Sequence, residues 1–303
     1  MPDATLSGLI VRAQSGFFTV QTETGLVICQ LRGRLKKGRR VGDLAAVGDR
    51  VQITQQPDGT GMLESVEARS RALVRLDPRP QGVYQQIILA NPDQVLFVFA
   101  CAHPEPRLRM LDRYLVIAEK QGIPALIVAN KTDLVEADHA RVLFGHYPRL
   151  GYPVLYTSVK RGDGLKELQQ QLAGKLSGLA GPSGVGKSSL LNAIQPGLGQ
   201  AVREVSTAIN KGKHTTVVRE LIALEGGGYV ADTPGMRSLA LWDTEPEELD
   251  GYFPELAPLV EYCQFNDCTH RNEPGCAVRK AVEAGTVHPS RYDSYLRLRG
   301  GEA

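Results

Sequence analysis

The chain lacks any apolar run long enough to span a bilayer, and its first residues, Met-Pro-Asp-Ala-Thr-Leu-Ser, carry neither a basic head nor an apolar stretch. The first absence excludes a transmembrane helix and the second gives no export signal, so a cytoplasmic location without a membrane partner is expected. Cysteine is sparse, at five residues, three of them crowded between 263 and 276 beside a histidine. That distribution fits metal binding in a reducing compartment better than a disulfide scaffold. Nor is there a strong overall charge: the formal net value is +2. What is present, 42% hydrophobic and 22% charged side chains over 303 positions, describes an ordinary soluble globular protein of two or three domains.

The small net charge conceals an asymmetry. Residues 1–72 hold ten basic and seven acidic side chains, whereas 242–303 hold six and twelve. The densest basic run is Arg32-Gly-Arg-Leu-Lys-Lys-Gly-Arg-Arg40, six cations in nine residues. Its two glycines argue for a loop, and such a loop suits a nucleic-acid backbone. A solvated loop with no partner has the same composition.

Around that run the pattern is short strands and turns: 6–13, 16–21, 25–31, 49–55 and 61–67. Five strands without a helix predict a small barrel, an oligonucleotide-binding (OB) fold or an SH3-like one. Of the pair Phe17 and Phe18, alternation sends at least one inward, leaving the other as a candidate base-stacking platform. A segment rich in Arg, Pro, Gln and Asn, residues 73–92, reads as a linker, and after it strands and helices alternate.

The phosphate chemistry sits at Gly181, Pro182, Ser183, Gly184, Val185, Gly186, Lys187, Ser188 and Ser189, which fit Gly-x4-Gly-Lys-Ser. A loop that wraps a polyphosphate needs positions without Cβ, so that backbone N–H groups turn inward, and a helix N-terminus behind it. Lys187 then reaches the β- and γ-phosphates and the Ser188 hydroxyl ligates magnesium. The flanks agree, with a strand over 177–180 and a helix opening at 187–194.

Upstream, buried strands over 94–100 and 125–129 enclose a helix over 108–121, and the second strand ends in Asn130, Lys131, Thr132 and Asp133. A carboxylate at a strand end accepts both the N1–H and the exocyclic amine of guanine, a donor pair that adenine lacks. Asn130 suits N7 and the holding of the loop, and the Lys131 stem suits the base face. A helix over 137–147 and a strand over 154–157 bring Ser158 and Lys160 to the next strand end, followed by a helix over 165–176. Beyond the phosphate loop, 199–217 is polar and aperiodic, a candidate switch in which Thr216, in preference to Thr215, ligates magnesium. Strands over 219–224 and 228–231 deliver Asp232-Thr-Pro-Gly235, where Asp232 holds magnesium through water and the Gly235 N–H senses the γ-phosphate.

In the C-terminal part, Cys263, Cys268, His270 and Cys276 can surround one ion. Three thiolates and one imidazole make a closed tetrahedral set for a structural zinc. Helices over 277–284 and 290–299 flank it, and Arg291, Arg297 and Arg299 on the second either touch RNA or face solvent. Cys29 and Cys101 read as buried hydrophobes.

These motifs resemble the five guanine-nucleotide motifs of translational and Ras-like GTPases, except that Asn-Lys-x-Asp and Ser-x-Lys precede the other three, which is a circular permutation. A barrel, a permuted GTPase and a Cys-x4-Cys-x-His-x5-Cys segment together resemble the bacterial ribosome-small-subunit-dependent GTPase family, RsgA. The resemblance covers nearly the whole chain. It implies an OB barrel over 1–72, a permuted α/β GTPase over 73–241 and a mainly helical zinc domain over 242–303. It further implies late maturation of the small ribosomal subunit, with ribosomal RNA, the subunit and GTP or GDP as partners, and slow GTP hydrolysis until the subunit stimulates it; a monomer is expected. Met236 stands where many GTPases have the water-orienting glutamine, and His214 is the candidate substitute. Gly184 stands where potassium-activated relatives have asparagine, so no potassium dependence is expected. A P-loop kinase or ATPase and an RNA-binding module with incidental hydrolysis are the alternatives.

Overall fold

Period-two alternation closes the N-terminal strands into a barrel. The computed structural model describes residues 5–36, 42–79, 82–200, 219–232 and 245–301, and its first strands are β1 (Thr5–Gln14), β2 (Phe17–Thr22), β3 (Gly25–Leu31), β4 (Arg50–Gln55) and β5 (Gly61–Val66). Ile10, Val20, Val27, Cys29, Val51, Ile53 and Leu63 fill the interior. A bulge between Ile10 and Arg12 bends β1, whose first half pairs with β4 and whose second half pairs with β2. β3 and β5 run parallel and β5 returns antiparallel to β4, giving a closed ring in the order β1-β2-β3-β5-β4. This is the OB topology rather than the SH3-like one. Phe18 is buried and Phe17 is 48% exposed, as alternation requires. The basic run leaves β3 through a 3-10 turn, Gly33–Lys36, and its residues 37–40 lie outside the described residues.

Residues 73–92 are not a linker. They belong to an antiparallel hairpin, β6 (Ala72–Arg79) and β7 (Gly82–Ala90). Leu73, Ile87, Leu89 and Ala90 are buried, and the Val74 N–H donates to Gln121 Oε1 at 3.0 Å. The Arg, Pro and Gln that gave the segment a loop-like composition mask this alternation.

The second sheet contains β8 (Gln94–Ala100), β9 (Ala125–Asn130), β10 (Val154–Thr157), β11 (Leu176–Ala180), β13 (Ile222–Ala223) and β14 (Tyr229–Asp232). Its order is β10-β9-β8-β11-β14-β13, parallel except for β13. Every residue of β8 is buried because helices cover both faces. Val95, Phe97 and Phe99 pack against α1 (Leu108–Lys120), while Leu96, Val98 and Ala100 share a cluster with residues of α3 (Leu165–Leu172) and α4 (Lys187–Ile194). Helix α2 (Ala137–Phe144) follows β9. The helix expected to run to residue 176 stops at Leu172, since Gly174 takes a φ of +70° and turns the chain into β11. The strand expected over 219–224 is divided: β12 (Arg219–Glu220) pairs with β1 of the barrel, and Ile222 and Ala223 pair with β14. Between them Leu221 is buried and donates its N–H to Val11 O at 2.8 Å.

The C-terminal part consists of two 3-10 segments, Pro246–Tyr252 and Ala257–Tyr262, with helices α5 (Ala277–Glu283) and α6 (Pro289–Arg299). Leu249, Phe253, Leu256, Val278 and Tyr295 form its core, which Val116 of α1 joins. Arg291 neither faces solvent nor is open to RNA, for it is 0% exposed. Its guanidinium donates to Asp112 of α1 at 2.8 Å and to Glu255 at 2.6 Å, lying 4.5 Å from the Phe253 ring centre. A buried cation needs such partners, and α1 supplies one of them only once the parts dock. Arg297 and Arg299 also have acidic neighbours, Asp293 at 3.2 Å and Glu247 at 3.6 Å. Among the described residues no helix is long and apolar enough to cross a membrane.

Candidate nucleotide site and metal centre

Every described motif residue lies at the carboxyl edge of the parallel strands, where an α/β sheet binds ligands. The 181–189 loop leaves β11, which lies between β8 and β14. Gly181 has φ +150°, and a Cβ there would stand 2.1 Å from Val98 O; Gly186 has φ +99°, and its Cβ would stand 2.4 Å from Asn130 Nδ2. Both positions therefore require glycine. Helix α4 opens at Lys187, so its first-turn N–H groups face the loop. Pro182, Ser183 and Val185 lie in the loop and Ser188 and Ser189 in the first turn of α4; Val185 is buried and Ser183 and Ser189 are exposed. Lys187 Nζ donates to Gly181 O at 2.8 Å and Pro182 O at 3.0 Å, which folds its ammonium over the loop.

The Asn130–Asp133 loop, at the end of β9, is joined to the phosphate loop. Asn130 Nδ2 donates to Val185 O at 2.8 Å, and its Oδ1 accepts from Thr157 Oγ1 at 3.0 Å. One amide hydrogen is thus spent on holding the loop. Lys131, in the left-handed region at φ +62°, donates from Nζ to Gly184 O at 2.7 Å and to His103 O. Thr132 Oγ1 donates to Thr157 O at 3.2 Å. Asp133 Oδ1 accepts from Ser158 Oγ at 2.7 Å; this bond, with the nearby charges of Lys160 and Arg161, holds the carboxyl below its usual range. Asp232 closes β14 in register with Leu179, one strand from the phosphate loop. His214, Thr215, Thr216, Gly235 and Met236 lie outside the described residues.

The second cluster holds Cys263, Cys268, His270 and Cys276, whose donor atoms all lie within 4.8 Å of one another. Cys263 Sγ is 3.6 Å and Cys276 Sγ 3.4 Å from His270 Nδ1. The other ring nitrogen, Nε2, is 3.1 Å from Asp250 Oδ2. A carboxylate behind an imidazole fixes which nitrogen faces the ion, so the donor set fits a metal. Tyr295 OH donates to Thr269 O at 3.2 Å and Tyr292 OH to His270 O, which pins the loop to α6. Asp250 escaped sequence reading: it lies on a 3-10 segment at no motif spacing and is recognisable only once folded.

Parallel strands carrying a phosphate loop, preceded in the chain by the Asn-Lys-Thr-Asp strand and flanked by a barrel and a Cys3His cluster that could hold a metal, define a circularly permuted P-loop GTPase. Two family models match, the RsgA N-terminal domain over residues 7–63 and the RsgA GTPase over 66–242. The chain is 48% identical over 297 residues to the small ribosomal subunit biogenesis GTPase RsgA of Gemmatimonas aurantiaca, covering 97% of this chain and 96% of that one. It is 44% identical over 291 residues to the protein of that name from Moorella thermoacetica, covering 96% and 95%. Among solved structures, YjeQ from Thermotoga maritima superimposes with a TM-score of 0.80 at 38% identity, covering 99% of both chains. YloQ, described as a circularly permuted GTPase, gives 0.75 at 32% identity, covering 99% of this chain and 95% of that one. The chain belongs to the RsgA GTPase family.

Proposed function

We propose that this GTPase acts in late maturation of the small ribosomal subunit, hydrolysing GTP slowly by itself and faster on the subunit. The names of its relatives and their near-complete coverage support the ribosomal assignment. The observation that carries the nucleotide reading is the 2.8 Å bond from Asn130 to Val185, which unites a base-reading loop with a phosphate loop 55 positions away. Asp133 reads guanine, Ser158 and Lys160 support it, Asn130, Lys131 and Thr132 shape the base pocket, and Gly181–Ser189 wrap the phosphates.

Ser188, Thr216 and Asp232 are suited to hold magnesium, which when bound supplies charge neutralisation at the phosphates. Lys187 adds a cation at the transferred phosphoryl group and the Gly235 N–H engages it. Met236 can neither orient nor activate water, which accounts for slow hydrolysis, and His214 positions the water when the switch closes. The Cys3His cluster takes one structural zinc, since its four protein donors complete a tetrahedral shell. The barrel over 1–72, with the 32–40 run, binds ribosomal RNA; the GTPase spans 73–241 and the zinc domain 242–303. The protein works in the cytoplasm as a monomer.

Turnover of His214→Ala tests the water-positioning role. Subunit-stimulated rates are expected to fall by about 10²-fold with GDP binding unchanged; near-normal stimulated rates with intact binding remove His214 from the mechanism.

A further inference from the structure

Arg161 belongs to none of the recognised motifs, yet it ties together the two loops assigned to the base. Its backbone N–H donates to Ser158 Oγ at 3.1 Å, the same hydroxyl that donates to Asp133 Oδ1 at 2.7 Å. Its guanidinium crosses to the other loop, where Nη2 donates to Thr132 Oγ1 at 3.0 Å. Nε donates to Asp163 Oδ2 at 2.8 Å, and the Asp163 carbonyl accepts from Ser158 N–H at 3.1 Å. The result is a ring of contacts running Asp133, Ser158, Arg161, Thr132. Ser158 is 0% and Thr132 8% exposed, so both hydroxyls of the ring are withdrawn from solvent.

The Arg161–Asp163 ion pair, with its side chains 50% and 51% exposed, is too solvated to stabilise the fold appreciably. The guanidinium matters instead for where it is held. Thr132 immediately precedes Asp133, and fixing its hydroxyl from one side while Ser158 grips the carboxylate from the other leaves the Asp133 side chain little freedom to rotate. Lysine offers no planar fork for Thr132 and Asp163 together.

We infer that Arg161 is a positioning residue for guanine discrimination, holding the Asp133 carboxylate so that its oxygens meet the ring N1–H and the 2-amine together. This rests on the reading of Asp133 as the guanine-recognising residue. A carboxylate free to turn keeps the N1–H contact but loses the paired geometry. Loss of Arg161 therefore penalises GDP, which offers both donors, more than IDP, which lacks the 2-amine.

The test is equilibrium competition of GDP and IDP against fluorescent GDP, with magnesium, on the full-length wild type, Arg161→Ala and Arg161→Lys. The wild type is expected to prefer GDP, and that preference is expected to fall about fivefold or more in Arg161→Ala and not to be restored by Arg161→Lys. A GDP-to-IDP ratio unchanged in Arg161→Ala overturns the inference, whether or not both affinities drop. Restoration by Arg161→Lys also overturns it, because charge and not the fork is then responsible. If Arg161→Ala shows no cooperative melt, Arg161→Gln takes its place under the same criterion. A wild type without preference for GDP over IDP contradicts the Asp133 reading itself, and the inference falls with it.

Discussion

Asp133 is held at one oxygen by the Ser158 hydroxyl, and this bond, with positive charge from Lys160 and Arg161, holds its carboxyl below the ordinary aspartate value. Replacing it by asparagine keeps one carbonyl acceptor and turns the other oxygen into an amide donor, so the 2-amine of GDP loses its acceptor while the 2-oxo group of xanthine gains a donor. Asp133→Asn is expected to weaken GDP about 10²-fold or more and to strengthen XDP, measured by competition with fluorescent nucleotide; unchanged GDP affinity contradicts the assignment. At this scale the sequence was most legible where chemistry demands fixed types at fixed spacing, as in Gly181–Ser188 and Asn130–Asp133. Asp250 and Arg161 were illegible, because their partners come from other segments or cross between loops. Arg291 was misplaced, since its exposure is decided by the docking of α6 on α1 and not by its own helix.

At the scale of elements, the phosphate loop is packed against its neighbours as well as shaped for a ligand. The Gly186→Ala methyl would meet Asn130 Nδ2 at 2.4 Å, at a φ of +99° that alanine resists. It is expected to break the Asn130–Val185 contact and to lower GDP affinity at least about tenfold while circular dichroism stays native; wild-type affinity means that the loop tolerates displacement. The existence of the barrel strands was readable from alternation, but the five pairings that close the ring were not, because alternation does not record which strand lies beside which. The pairing partner of Arg219–Glu220 was not readable, because a continuous extended run does not record which sheet each half joins. The hairpin of β6 and β7 was missed for a related reason: polar residues at its turn and on its alternate positions outweigh the buried Leu73, Ile87 and Leu89 in any count of composition.

Across the whole molecule, α1 links nucleotide-binding sheet and C-terminal core, with Asp112 accepting from Arg291 and also from Tyr147 OH at 2.8 Å. Beside this knot His146 stacks on His288, ring centres 4.2 Å apart. Burial, with the adjacent His288, pushes the His146 imidazole down to about 4 from an ordinary 6.5. A group depressed in the folded state contributes stability that is full above the unfolded value and is lost as pH falls towards the folded one. Global stability is therefore expected to decline between pH 6.5 and 4, and His146→Phe is expected to flatten part of that slope in denaturant titrations at pH 7 and 5. An identical slope in the variant assigns the acid sensitivity elsewhere.

The order of parts along the chain places the nucleotide site between a barrel and a Cys3His cluster that could hold a metal, and we propose that ribosomal contact made by those parts governs hydrolysis in the middle. Steady-state GTP turnover measured alone, with purified small subunits and with large subunits tests this most directly. Slow turnover alone, a rise of at least about tenfold with small subunits only, and no comparable turnover of ATP are predicted. Equal rates under all three conditions, or ATP turned over as fast as GTP, contradict it.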